Sequence, residues 1–255
     1  MRRIAYKGSF IVGICSRFLK IFLYCFLWSA IYESSRDAYI NEFTEREMIM
    51  YVIISATISD IIMSEVAKKI ADDVREGALA LKLVKPINYK ANLLSMCLGD
   101  YLHKVLFWGV PVFTGIDIYM NGKLQLGARV IVLLLFLFSI ICSYFLYALF
   151  DFMFGMLSIK TTYSFGMLII KDAVFAFVSG QMIPYSFMPS ILADILHFLP
   201  FSSMVYTPVM IFLGKYTIYE INIYILNQLF WILILHSIGN VMWKKYIQQI
   251  TILGG

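Results

Sequence analysis

Charge, cysteine, histidine and proline are all scarce in this chain. Only 15% of its 255 residues are charged, where about a quarter is usual in a soluble domain. The four cysteines, Cys15, Cys25, Cys97 and Cys142, form no Cys-x-x-Cys pair, and no histidine stands at ligand spacing from them. This pattern excludes a disulfide framework and the common zinc motifs, and leaves the thiols as small packing residues. His103, His197 and His236 lie far apart and none begins a His-Glu-x-x-His motif. No metal site and no catalytic constellation are therefore expected. A phosphate-binding glycine loop is also missing. Gly122-Lys123 and Gly214-Lys215 are followed by Leu and Tyr, without the upstream glycine such a loop needs.

What replaces charge is apolar bulk. Hydrophobic residues make up 61% of the chain and mean hydropathy is +0.80. One soluble domain of this size would leave large apolar patches exposed. The composition predicts an all-α integral membrane protein, one domain over 1–255. The N-terminus is basic and then apolar, as a signal segment would be, but no small-residue cleavage site stands out and the segment is read as retained.

Six spans are expected. Val130–Phe150, Ala173–Ala193 and Ile221–Trp243 are charge-free and meet the roughly 20 residues a crossing needs. Pro184 and Pro189 should end the middle helix near Met182. Ile21–Tyr32, Met48–Ser59 and Val105–Ile116 are shorter and cross only if flanking charges such as Arg17, Lys20 and Asp60 reach an interface. Residues 1–20 read as an amphipathic helix on the membrane surface, with a plain lead-in to the first span as the alternative. With both termini in the cytoplasm, fourteen Lys and Arg from Arg2 to Lys245 fall inside and four fall outside, at Arg36, Arg46, Lys123 and Lys215. That bias sets the orientation. Asp151 and Lys171 flank the turn between spans four and five at equal distances, so antiparallel packing would make them an ion pair. Span six carries Asn222, Asn227, Gln228, His236 and Asn240, suited to hydrogen bonds between helices or to a polar route.

One stretch breaks the oily pattern. Glu65 to Lys90 holds ten charges; burying them at the bilayer centre would cost on the order of 25–35 kcal/mol. The segment belongs outside the hydrocarbon, as a cytoplasmic loop over 64–90. Val66, Ile70, Val74, Ala78 and Leu81 fall on one apolar stripe, predicting a helix weakened at Gly77 and stopped before Pro86.

The end of this loop, EGALALKLVKPIN (76–88), resembles the cytoplasmic-loop signature of type-2 ABC exporter permeases. The likeness is to the six-helix branch related to daunorubicin-type export permeases, and it rests on Gly77, Leu79, Leu83, Lys85, Pro86, Ile87 and Asn88. A second stretch, SGQMIPYSFMPSILADILHFLPFSSMVYTPVMIFLG (179–214), is similar to the same family's outer region. It shares Ser-Gly at 179–180, then Ile183-Pro184, Met188-Pro189, Leu199-Pro200-Phe201, Pro208 and Gly214. The chain departs from the family where relatives often carry a tryptophan before span five and it reads SIKTTY (158–163).

The resemblance implies a permease without its own ATPase site. It implies a second permease chain and two ATP-binding subunits carrying ATP and Mg, in a bacterial-type plasma membrane among lipids, with no nucleic acid partner. The 64–90 loop would hold the coupling helix, with Asp73, Arg75, Glu76, Gly77, Leu79, Leu83, Lys85, Pro86 and Asn88 meeting the ATPase. The proline-rich segment 183–214 would be an outer helical region. Its gate residues would be Gly180, Pro184, Pro189, Pro200 and Phe201. The rival reading is an ion- or proton-coupled secondary carrier, which would need repeats and broken mid-membrane helices; neither stands out in the sequence.

Overall fold

The computed structural model describes residues 7–35, 39–41, 43–121, 130–161 and 164–253. It is an all-α membrane protein. Four stretches are each long and apolar enough to cross a bilayer: Cys15–Ser35, Glu45–Arg75, Val130–Leu157 and Ile218–Gln248. They lie in α1 (Lys7–Ser35), α2 (Glu45–Ile62) with its continuation, α7 (Val130–Leu157) and α12 (Ile218–Leu253). Residues 7–20, expected as a separate surface helix, run on into α1 unbroken, because no proline interrupts Lys7–Ser35. Arg2 and Arg3 lie outside the described residues.

Two further segments complete the bundle. The expected third span is the middle of a helical rod made of α5 (Tyr89–Lys104), a π-helical turn (Val105–Gly109) and α6 (Val110–Asn121). The expected fifth span, Ala173–Ala193, is only partly helical. Its helix α8 (Ser164–Val178) ends four residues before the point that its prolines predicted, because Gly180 takes a left-handed φ of 76° and turns the chain first.

Between α1 and α2 the chain makes a two-stranded ribbon, β1 (Tyr39–Ile40) with β2 (Phe43–Thr44). Thr44 then starts α2 through a capping box: its Oγ1 accepts from the Glu47 backbone and the Glu47 carboxylate accepts from the Thr44 N–H. These two bonds satisfy donors that a helix start leaves open.

The core is built on α7, the most apolar helix, which packs along α12, α2 and α3 (Val66–Arg75). After α8 the chain forms a 3-10 turn (Tyr185–Phe187) and α9 (Ser190–Phe198), then α10 (Pro200–Met204) and α11 (Tyr206–Phe212). Residues 202–213 are all buried. Ser203 meets Ser143 and Gln228. Ser143 lies about 20 Å along α7 from Val130, and Gln228 about 15 Å along α12 from Ile218. The segment thus dips into the bundle, which non-helical backbone tolerates at membrane depth only when protein surrounds it.

Candidate functional site

The charged loop folds into α3, which ends at Arg75, and α4 (Ala78–Leu83). A single helix running to Pro86 was expected. The break falls instead at Gly77, whose φ of 69° closes α3 and opens α4. With no side chain, glycine adopts this conformation without the usual steric cost. The consequence is a change of face. Leu81, expected on the apolar stripe, is 73% exposed, while Leu79 is 3% exposed and joins a small second core with Val66, Ile70, Tyr89, Phe152 and Met156.

Charged groups hold this element on the spans. Asp151 is 1% exposed. Its Oδ2 accepts from the backbone N–H of Ala67 at 3.0 Å and from Ser64 Oγ at 2.9 Å. It thereby supplies from α7 the cap that Glu65, at the start of α3, does not provide. The other oxygen, Oδ1, accepts from Lys171 on α8. Lys171 also donates to Tyr147 Oη at 3.3 Å and approaches Asp172 at 3.0 Å. The structure therefore brings the two residues of the expected ion pair together. It adds what their spacing could not indicate: the pair ends on the first turn of α3.

Gly155, one turn further along α7, makes room for this contact. A Cβ there would stand 2.8 Å from Ala67 Cα and 2.7 Å from Ile70 Cδ1. Neither Gly155 nor Ser64 was singled out by the sequence, since a glycine in an apolar helix carries no signal of what crosses it.

A second set of bonds fixes the far side. Asp73, buried, accepts from Lys82 at 2.6 Å and from Tyr89 Oη at 2.7 Å, tying α3 to α4 and to the start of α5. Burial, and then the bond to and charge of Asp73, push the Tyr89 phenol well above its ordinary pKa. The Tyr89 ring stacks on Trp243 of α12 at 5.4 Å, and Lys90 donates to Asn240 of α12 at 2.6 Å. Asn88 caps α5 by accepting from Ala91 N–H at 3.0 Å.

What remains on the outer surface of this element is mixed. Arg75, Glu76, Gly77, Lys85, Pro86 and Asn88 are exposed. So are Leu81, Val84 and Ile87, with Val84 at 85%. Leu83 is half-buried. Of the expected contact residues, Asp73 and Leu79 are thus turned inward. Three aliphatic side chains stand out beside Lys82 and Lys85, themselves exposed.

Against the middle of α2, the Gly180 carbonyl accepts from Tyr51 Oη and the Gln181 carbonyl accepts from Ser55 Oγ. Pro184 is buried ahead of the 3-10 turn, and Pro189 is the exposed start of α9. Pro200 opens α10, where its missing N–H costs nothing. Phe201 packs edge-on to Phe150 at 5.4 Å. Gln228 donates to Ser139, Ser143 and Ser203, and Asn227 donates to Ser203 Oγ. Three polar residues of α12 (Asn227, Gln228 and Asn240) thus bond between segments.

The sequence matches the family model described as ABC-2 family transporter protein over residues 18–254. No curated protein and no solved structure matches it. The match runs from within α1 through α12 and takes in α3–α4 and the buried α10–α11 segment, and on it the chain belongs to the ABC-2 transporter family, as the membrane permease of an ABC transporter.

Proposed function

We propose that this permease forms an export path with a second permease chain, the same or a related one, and that two separate ATP-binding subunits drive it. The observation that carries the reading is the α3–α4 element. It is bonded directly to α7 and α5, which are in turn bonded to α8 and α12, yet it turns Leu81, Val84 and Ile87 away from the bundle. A helix seated in a partner's groove needs such apolar anchors, and a rigid seat lets a push on the element reach the spans.

In this reading the α3–α4 end faces the cytoplasm, as the lysine and arginine bias favours, and both termini lie there. Closure of the ATPases moves α3, and Asp151 and Lys171 pass the displacement to α7 and α8. The segment around Gly180, Pro184, Pro189, Pro200 and Phe201 closes the path from outside. Hydrolysis, with ATP and Mg, takes place on the partner chains. An ion-coupled carrier would not need an anchored element with outward aliphatic residues.

The test is co-purification of the wild-type chain with candidate ATP-binding subunits, repeated with Leu81→Asp and Val84→Asp. Both variants should keep their thermal unfolding midpoint and lose the ATPase. Leu79→Asp is the wrong probe for docking, because Leu79 belongs to the core. If the ATPase never accompanies the wild type, or binds both variants undiminished, the proposal fails.

A further inference from the structure

A pocket of about 60 Å³ opens between α1, α2 and the π-helical turn, lined among others by Arg17, Lys20, Ser59, Asp60 and Trp108. Its depth follows from the helices. Arg17 lies about 27 Å along α1 from Ser35, and Asp60 about 22 Å along α2 from Glu45. In a hydrocarbon layer of about 30 Å this is the interface on the α3–α4 side.

The polar groups of the pocket are unevenly satisfied. Arg17 Nε takes Asp60 Oδ1 at 3.2 Å. Asp60 Oδ2 and Ser59 Oγ are buried and have no hydrogen-bond partner among the described residues, and Ser59 as a whole is 2% exposed. A buried carboxylate oxygen without a donor is costly, so the floor of the pocket is short of a donor, preferably a cationic one. Arg17 and Lys20, both exposed, supply positive charge beside it. Phe18, Leu19, Phe22 and Leu23 on the same helix are also exposed. The spanning part of α1 is hardly covered by protein, so acyl chains have access to the flank of the pocket.

We propose that this pocket binds a phosphoethanolamine headgroup belonging to a membrane lipid. The primary ammonium donates to Asp60 Oδ2 and Ser59 Oγ, and the phosphate lies against Arg17 and Lys20. Phosphocholine has no N–H to give, and phosphoglycerol has no cation, so the two unsatisfied acceptors select among headgroups. The volume holds one group of ammonium size, which leaves the phosphate at the mouth.

Native mass spectrometry of the delipidated full chain, titrated with phosphatidylethanolamine, phosphatidylcholine or phosphatidylglycerol, reads the preference. The wild type should retain phosphatidylethanolamine with a Kd about tenfold lower than either other lipid. Ser59→Ala and Lys20→Gln should each cut that preference to about threefold or less. Neither substitution touches the Arg17–Asp60 pair, so both variants should fold. Equal retention of all three lipids, or a preference unchanged in both variants, would overturn the proposal, since water alone then fills the pocket. Soluble glycerophosphoethanolamine competing at equal concentration would also overturn the lipid assignment, by making the headgroup ligand a soluble one.

Discussion

Replacing Lys171 by methionine keeps most of the apolar stem and removes the ammonium, which isolates the effect of charge at the α3 seat. Asp151 would keep its bonds from Ala67 N–H and Ser64 Oγ but would stand 1% exposed without a counterion. Breaking a buried pair in this way costs about 3–5 kcal/mol. Asp151→Asn strands Lys171 instead. Asp172, 3.0 Å away but 45% exposed, compensates in part, and the cost should be about 2–4 kcal/mol. The double variant buries no unpaired charge, so its cost should fall short of the sum by on the order of 2–3 kcal/mol. Thermal or denaturant unfolding in detergent micelles, followed by tryptophan fluorescence, measures all four corners of the cycle. Because Asp151 also caps α3, Asp151→Ala, which removes the accepting oxygen, should loosen ATPase co-purification more than Lys171→Met does. A coupling energy below about 0.5 kcal/mol would refute the reasoning, since the two groups would then be acting independently.

Gly155→Ala sets a new Cβ against the Ala67 backbone, which cannot rotate away, so about 1–3 kcal/mol of stability should be lost. Gly109→Ala meets the tip of Ile61 at 2.7 Å and the Phe113 ring at 3.4 Å, both side chains, and should cost less; the two unfolding midpoints compared side by side check this. Tyr89→Phe removes one donor to Asp73 while Lys82 stays, for a loss of about 1–2 kcal/mol read from the same transition. Gln228→Leu deletes bonds to Ser139, Ser143 and Ser203, and should lower the unfolding midpoint by about 1–3 kcal/mol of stability with helical circular dichroism unchanged.

Much of the fold was legible because a bilayer punishes polar residues strongly. Val130–Phe150 and Ile221–Trp243 stand out for that reason, and the helices α7 and α12 contain them. The charged loop is read as extramembrane for the same cause. Its internal shape was not legible. Helical periodicity puts Leu81 and Ala78 on one face, but a glycine that has gone left-handed resets the phase, and no periodicity argument shows which of its conformations a glycine takes. The exposed aliphatic side chains are thus Leu81, Val84 and Ile87, with Leu79 in the core.

The amino-acid sequence by itself determined that this chain lives in a membrane, where its charges must gather, and which family pattern it carries, since composition and local motifs depend only on order along the chain. Tertiary structure alone decided that Asp151 caps a helix 84 residues upstream, that Gly155 admits it, and that residues 202–213 lie buried rather than on the surface. Those outcomes depend on which helices pack together, and close packing in three dimensions leaves no periodic trace in a single strand of residues.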